Sequence, residues 1–426
     1  MEPTENGQTH ALIRKNITGA AVGNVVEWYD YAVYAYMAPF IGKLFFPSDD
    51  PLESMIATFG AFAAGYISGP VGAILFGHIG DKIGRKAMLL LSILLMGTAT
   101  AAIGFLPTNE TVGWWAGAGL VTLRLLQGFA SSGEYTGSLA FICEHSRPKH
   151  RGFNASFVLI GSNVGFLLGA GVAALCSHLF SSAQLESWAW RTPFIFGGAI
   201  ALIGILLRSQ LSEPPAPPEV ETVKGLPVVV AFRDHWREML QVGALNLTVN
   251  GGYYLIFVYV LTYLTTVVSM PNTTATDIKL FCVVIMCVLP MGFAALGDRI
   301  GRKPVLILGN LSVLLLTYPL FKMIDSGSLW PVLAGQVGFA VIFSCIYGAN
   351  PAAQVESTPR AVRATVMTIP ANLVAATLTG TMPMVAAYLV DRTKDDMSPA
   401  YYLMAFAVIT LVAVSTLREM AGKKLD

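Results

Sequence analysis

Long apolar stretches separated by short polar punctuation run along almost the whole of the 426 residues. A bilayer core about 30 Å thick takes roughly 20 mainly apolar residues per helix, because it holds no water to satisfy a free backbone group. That length recurs twelve times, near residues 17–46, 54–80, 87–106, 113–144, 152–180, 188–210, 236–268, 277–297, 304–323, 329–356, 361–390 and 399–418. The pattern predicts an all-α membrane protein of twelve transmembrane helices. Between the sixth and seventh, Glu213 to Lys224 carries Pro214, Pro215, Pro217 and Pro218 and is too proline-rich to be helical. The expected division is a bundle over 1–210, a cytoplasmic linker over 211–235 and a second bundle over 236–426. Phe232 to Leu240 is read as a surface helix leading into span seven.

Composition agrees with a membrane protein. Hydrophobic residues make up 54% and charged residues 12%, about half the charged share of an ordinary soluble domain. A net charge of +1 gives no basic field for nucleic acid. Cys143, Cys176, Cys282, Cys287 and Cys345 lie in or beside apolar runs without CxxC spacing and read as packing residues. There is no HExxH and no GxSxG, and the six His are scattered, so neither an intramembrane enzyme nor a metal or cofactor is expected. The first 13 residues lack the features of a secretory signal, and no removal is expected. Of the 27 Lys and Arg, twenty, Arg151, Arg208 and Arg363 among them, are counted to the termini and alternate loops, six to the opposite side, and Arg124 lies within a span. Cytoplasmic segments accumulate such residues, which places both termini inside.

The chain also repeats itself. GDKIGRK at Gly80 to Lys86 returns as GDRIGRK at Gly297 to Lys303, and the pair Glu144 and Arg151 returns as Glu356 and Arg363. Internal duplication is a signature of transporters whose halves rock about a midplane site. Glycine lets such a loop turn tightly between helices, while one acid and two bases can pair with the neighbours of one conformation and not the other. Gly77, Asp81, Lys82, Gly84, Arg85 and Lys86 make the loop resemble the signature of the major facilitator superfamily; Ala294 replaces the first glycine in the second copy. The resemblance implies two pseudo-symmetric six-helix bundles. It also implies a cytoplasmic gate at Asp81 and Arg85 with Glu144, and at Asp298, Arg302 and Glu356 in the repeat.

Ionisable groups at membrane depth are costly and mark function by default. Span one, NVVEWYDYAVY, sets Glu27 and Asp30 on one face with Asn24, Tyr31 and Tyr34 near it; span four carries Arg124, Gln127, Ser131, Glu134 and Ser138 at helical spacing. The two stripes are expected to face a water-reachable chamber where Arg124 pairs with a carboxylate. Spans seven to twelve offer only Asn246, Asn250, Gln336, Asn350, Gln354 and Asn372. The first half is therefore expected to handle a proton and the second to shape the pocket. Low dielectric favours a protonated acid and a neighbouring Arg opposes it, so a carboxyl between them can switch. Asp30 is the first choice for the proton carrier, ahead of Glu27 and Glu134. The expected solute contacts are Arg124, Tyr31, Tyr34, Gln127, Asn246, Asn250, Tyr253 and Tyr254. The aromatic residues of spans one and seven read first as packing and second as a cage for an amine.

NVVEWYDY, QGFASSGEYTG at Gln127 to Gly137 and WAWRTPF at Trp188 to Phe194 resemble the metabolite:proton symporter branch, and NGGYYLIFVYVLTYL and YYLMAFAVIT extend the match. Within that branch the chain is most similar to proline and glycine-betaine transporters, with dicarboxylate and tricarboxylate carriers sharing many landmarks. The resemblance implies proton-driven uptake of a zwitterion or organic acid through a bacterial inner membrane, with protons, a small solute and lipids as partners. It also draws attention to Arg191, at the outer end of its span, where snorkelling to water is the plainer reading. Three departures stand against full transfer. Gly69 precedes Pro70 where the branch often has Arg; Ser132 and Gly133 replace a glycine pair; and no coiled-coil tail follows Arg418, so osmotic control is not expected. Proton-antiport efflux, carboxylate exchange and a non-transporting receptor are the alternatives; the efflux signature is missing, since GSNVGFLLGAG has no proline.

Overall fold

With no water to compete for backbone groups, each apolar stretch closes its hydrogen bonds internally as a helix. The computed structural model describes residues 3–213, 225–379 and 381–425, and the proline-rich run 214–224 lies outside them. Among the described residues there is no strand. The first helices are α1 (Pro3–Phe45), α2 (Pro51–Lys82), α3 (Arg85–Phe105), α4 (Trp115–Ser131), α5 (Glu134–His145), α6 (Arg151–Leu179) and α7 (Arg191–Ser209). After the undescribed run come α8 (Pro227–Asp234), α9 (Trp236–Asn246), α10 (Val260–Thr266), α11 (Asn272–Ile300), α12 (Arg302–Asp325), α13 (Leu329–Glu356), α14 (Arg363–Val374), α15 (Met382–Thr393) and α16 (Ser398–Thr416).

Among the described residues, ten helical runs are long and apolar enough to cross a membrane. The two expected spans missing from that set are the first and the fourth, which carry the interior charges. In α1, Glu27 and Asp30 lower the hydropathy of a 43-residue helix. The fourth span is interrupted at Ser132–Gly133, between α4 and α5, where the Ser132 hydroxyl donates to the Phe129 carbonyl at 2.8 Å. Span seven is continuous but uneven: wider i→i+5 turns at Leu247–Gly251 and Leu255–Tyr259 separate α9 from α10. A similar turn at Ala375–Thr379 follows α14. Such turns often sit at functional sites. The expected surface helix at Phe232–Leu240 is instead divided at His235, with α8 ending before it and α9 starting after it.

The chain forms two compact units, one of Met1–His145 with Phe157–Val228, the other of Ser146–Ser156 with Val229–Asp426. Within the first, Gly161, Gly165 and Gly169 of α6 lie against the carbonyls of Ala21, Val25 and Tyr29, so that two backbones touch where side chains would hold them apart. Gly65 of α2 and Gly128 of α4 meet in the same way, bringing Arg124 inward.

The repeated loop has the same construction in both units. Gly84 (φ +130°) links α2 to α3 and Gly301 (φ +108°) links α11 to α12, a backbone region that glycine enters without strain. The helix that follows is then capped from a distance. The Glu213 carboxylate accepts the backbone N–H groups of Arg85 (2.5 Å) and Lys86 (3.1 Å), and the Glu419 carboxylate accepts that of Lys303 (2.9 Å). The Lys86 ammonium donates to the Ser209 carbonyl and the Lys303 ammonium to that of Ser415, at 2.8 and 2.5 Å. Each pair fastens the end of a unit's last helix to the start of its third. Anions at helix N-termini and cations at C-termini are the favourable arrangement.

Candidate solute and proton site

Asp30 and Arg124 lie on α1 and α4 of the first unit. Asp30 Oδ2 accepts Arg124 Nη1 at 2.8 Å, and Oδ1 accepts Gln127 Nε2 at 2.6 Å and the Thr100 hydroxyl at 3.0 Å. Gln127 Oε1 in turn accepts Arg124 Nη1 at 2.9 Å. The guanidinium carbon sits 4.4 Å from the Tyr34 ring centre, 5.0 Å from Phe62 and 5.8 Å from Tyr31. Tyr31 is stacked on Tyr66 and its hydroxyl meets that of Ser131 at 3.2 Å; the Tyr34 hydroxyl donates to the Thr58 carbonyl at 2.9 Å. These rings already hold a cation of the protein's own.

The pair is dry. Asp30 is 2% and Arg124 0% exposed, which corrects the expected water-reachable chamber: Tyr31, Tyr34 and Phe62 cover the guanidinium. Even so, Arg124 Nε and Nη2 are buried without a partner. An unpaired buried donor costs about 1–3 kcal/mol, more when charged. This guanidinium therefore has unused donor capacity facing the interior.

Glu134 is held differently. Both its oxygens accept from Arg208, through Nη1 at 2.7 Å and through Nη2, and the Ser92 and Ser138 hydroxyls donate to them at 2.7 and 3.2 Å. Arg208 also donates to the carbonyls of Gly19, Ala20 and Leu89. The pair fits against the bare backbone of Gly23. Arg208, expected in a cytoplasmic loop, is instead fully buried at the end of α7. Its position at the helix terminus hid it, since only the Arg-rich loop pattern was visible there. Arg191 stays partly exposed at the start of α7, where it donates to the Ser187 and Leu106 carbonyls (3.3 and 3.0 Å) and lies over Trp190.

In the second unit the expected solute contacts Asn246 and Asn250 stand one turn apart on span seven, and Asn246 pairs with Gln354. Asn246 Nδ2 donates to Gln354 Oε1 at 3.1 Å, Asn250 Nδ2 to the Asn246 carbonyl at 3.2 Å, and Asn350 Oδ1 is buried without a partner. Tyr253 packs edge-on to Tyr254 and lies 5.3 Å from Phe257, between the two wide turns of span seven.

The gating candidates form one trio per unit. Arg85 donates to Asp81 at 2.8 Å and reaches Glu144 at 3.5 Å; Arg302 donates to Asp298 at 2.6 Å and to Glu356 at 3.2 Å. In the second unit Glu356 also accepts Arg151 at 2.6 Å, and Asp298 accepts the backbone N–H groups of Gly152 and Phe153 at 2.9 and 2.8 Å. Arg151 and Arg363, expected as loop cations, are buried. No group of His, Cys, Asp and Glu suited to a metal occurs among the described residues.

Comparison with known proteins places this geometry. The sequence profile of the Major Facilitator Superfamily matches residues 20–375. A proline/betaine transporter of Salmonella typhimurium is 34% identical over 97% of this chain and 85% of its own length. The glycine betaine/proline/ectoine/pipecolic acid transporter OusA of Dickeya dadantii is 35% identical over the same shares. Among solved structures, the proton:xylose symporter XylE superposes over 98% of both chains with a TM-score of 0.73 at 18% identity, which shows a shared fold. The protein is a multi-pass membrane transporter, not an enzyme, with the twelve-helix, two-bundle fold, and it belongs to the Major Facilitator Superfamily.

Proposed function

We propose that the protein is a proton-coupled symporter that takes up a small solute of the proline or betaine type by alternating access. The observation that carries this reading is the buried Asp30–Arg124 pair with two guanidinium nitrogens unbonded. A solute carboxylate would find those donors and compete with Asp30 for the guanidinium. Removing one partner from a buried pair leaves an uncompensated charge, at a cost of about 3–5 kcal/mol. Asp30 avoids that cost by taking a proton as the solute binds, so solute and proton travel together. Its chemical neighbours fit this exchange: Gln127 and Thr100 can donate to the anion, and each can accept from the neutral acid. The identity of two relatives as proline and betaine transporters supports the solute class.

The solute contacts assigned to the first unit are Arg124, Tyr31, Tyr34 and Gln127, and those assigned to the second are Asn246, Asn250, Tyr253 and Tyr254. Glu27 and Glu134 are secondary candidates for the proton. The two trios, Asp81–Arg85–Glu144 and Asp298–Arg302–Glu356, act as cytoplasmic gates. The bundles are residues 1–210 and 236–426, joined by a linker over 211–235. Both termini face the cytoplasm and the membrane is a bacterial inner membrane.

The test is uptake of labelled L-proline and glycine betaine into proteoliposomes, with and without an imposed inside-alkaline gradient. Accumulation only with the gradient, with alkalinisation of the outer medium on adding solute, is expected. Solute entry indifferent to the gradient overturns the proposal. A thermal-shift screen across zwitterions, dicarboxylates and tricarboxylates separates the betaine reading from carboxylate exchange.

A further inference from the structure

Apart from Glu144 of the loop trio, the first unit buries three carboxyl groups along α1 and α5, and two are fully engaged. Asp30 accepts from Arg124, Gln127 and Thr100, and Glu134 from Arg208, Ser92 and Ser138. Glu27 is different: it is 9% exposed and its Oε2 is buried without a partner. The charged and titratable groups facing it are Asp30 and Tyr31 from α1, Glu134 and Tyr135 from α5 and Arg208 from α7. Arg208 is committed to Glu134 and to three carbonyls. The neighbouring α6 has no charged residue between Arg151 and His178.

Two further residues share this condition on the same helix. Asn24 and Asn16 are 0% and 1% exposed, and in each both Nδ2 and Oδ1 are buried without a partner. At 100° per residue, positions 16, 24, 27 and 31 fall within an arc of about 80°, and Asn16 lies about 16 Å along the axis from Glu27. The far end of this stripe is close to the GDKIGRK loop. Gly19, one turn from Asn16, shares Arg208 with Leu89, which stands one turn into α3 from that loop. Five bare polar atoms on one face of a membrane helix require partners, and water supplies them most simply.

We propose that Glu27, Asn24 and Asn16 form a hydrated proton-release route along α1, leading from the Asp30–Arg124 pair to the end of the unit that carries the GDKIGRK loop. This rests on the symport reading. When the solute leaves and Arg124 returns to Asp30, the Asp30 O–H bond breaks and the proton passes through water to the Glu27 carboxylate one turn away. Glu27 then gives the same proton to water held by Asn24 and Asn16. The amides donate and accept hydrogen bonds without binding the proton themselves, so they can hold water in place without trapping the charge. Neither residue touches the Asp30–Arg124 pair, so both act by position.

The test separates proton release from solute handling, in proteoliposomes containing the full chain and labelled L-proline. Solute exchange at equal concentrations needs only reorientation of the loaded carrier, whereas net gradient-driven uptake needs the proton to leave. Asn24→Leu is expected to keep exchange within about twofold and to lower net uptake about tenfold or more, with Asn24→Ser restoring most of it. Asn16→Leu should act in the same direction and serves if Asn24→Leu does not fold. Equal loss of exchange and uptake in both Leu variants, or no change in either, overturns the route. A wild-type protein whose uptake ignores the gradient removes the symport reading and the route together; a coupled wild type with unaffected variants removes the route alone.

Discussion

The interior of the first unit holds two ion pairs, Asp30–Arg124 and Glu134–Arg208, and Glu27, whose Oε2 is buried without a partner. In the interior of the second unit stand amides, Asn246 against Gln354 with Asn350 one turn away on the same helix, and among the unit's described residues the one helical cation beyond a terminal turn is Lys279, half-buried near the start of α11. Toward the loops the difference disappears: each unit has the same glycine turn, the same acid–Arg–acid trio and the same carboxylate cap. On the symport reading, duplication is kept where both halves would perform the same mechanical task and lost where only one would move charge. A buried ion pair is poor value for stability alone, since well-packed apolar residues of similar volume often do as well. Its presence in one interior and absence from the other therefore points to chemistry, and amides serve where the only requirement is to recognise or hold.

The sharpest way to break that contrast is to remove charge from the pair assigned to coupling. Asp30→Asn keeps the shape and one acceptor but cannot carry a proton, so gradient-driven accumulation should fall to the level measured without a gradient. Solute binding by thermal shift should survive, because Arg124 is released to the solute. Full accumulation in that variant would move coupling to another group. The corresponding amide change in the second unit, Gln354→Met, should lower solute affinity while leaving the dependence on the gradient intact.

A second contrast lies inside the first unit, between its two ion pairs. Glu134–Arg208 is fastened to three backbone carbonyls and two hydroxyls and has no spare donor, which is the arrangement of a fixed brace. Arg208→Met should destabilise the protein by about 3–5 kcal/mol by stranding Glu134, and adding Glu134→Leu should recover most of that. Denaturant titration of the two variants in detergent measures the effect. A double variant as unstable as the single one would show that the pair contributes more than charge compensation.

Much of this was legible in the chain, for a physical reason. Membrane insertion writes helix positions into long apolar runs, and the expense of a buried charge makes Glu27, Asp30 and Arg124 conspicuous wherever they fall. What escaped were interactions whose partners lie at helix ends. Arg208 looked like one more loop cation because a terminal Arg gives the same local pattern whether it points to water or inward. The break at Ser132–Gly133 left no signal beyond a small-residue pair, and the dryness of the Asp30 pair depends on how Phe62 and Tyr34 close over it. Glu213 and Glu419 were readable in principle. Ser209 and Glu213 recur as Ser415 and Glu419 at one spacing of their own, which differs from that of the loop repeat and so was not found by extending it.

Those two caps give the smallest effect and the strictest test of what the units share. Glu213 accepts two backbone N–H groups at the start of α3; Glu419 accepts one at the start of α12 and turns its other oxygen to the N–H of Ala421 at 3.0 Å. A capping side chain is worth about 1 kcal/mol, and a negative charge at a helix N-terminus about 0.3–1 kcal/mol. Glu213→Ala and Glu419→Ala should therefore each cost about 1 kcal/mol, with Glu213 slightly the larger because it satisfies two donors of its helix. The Gln variants should cost less, since they keep the acceptor and lose only the charge. Amide hydrogen exchange should rise at Arg85 and Lys86 in one variant and at Lys303 in the other, without crossing over, because each cap touches its own unit. If only one variant loses stability, the matched geometry of the two loops is an echo of ancestry and not a shared mechanical part, and the line drawn between conserved ends and divergent interiors has to move.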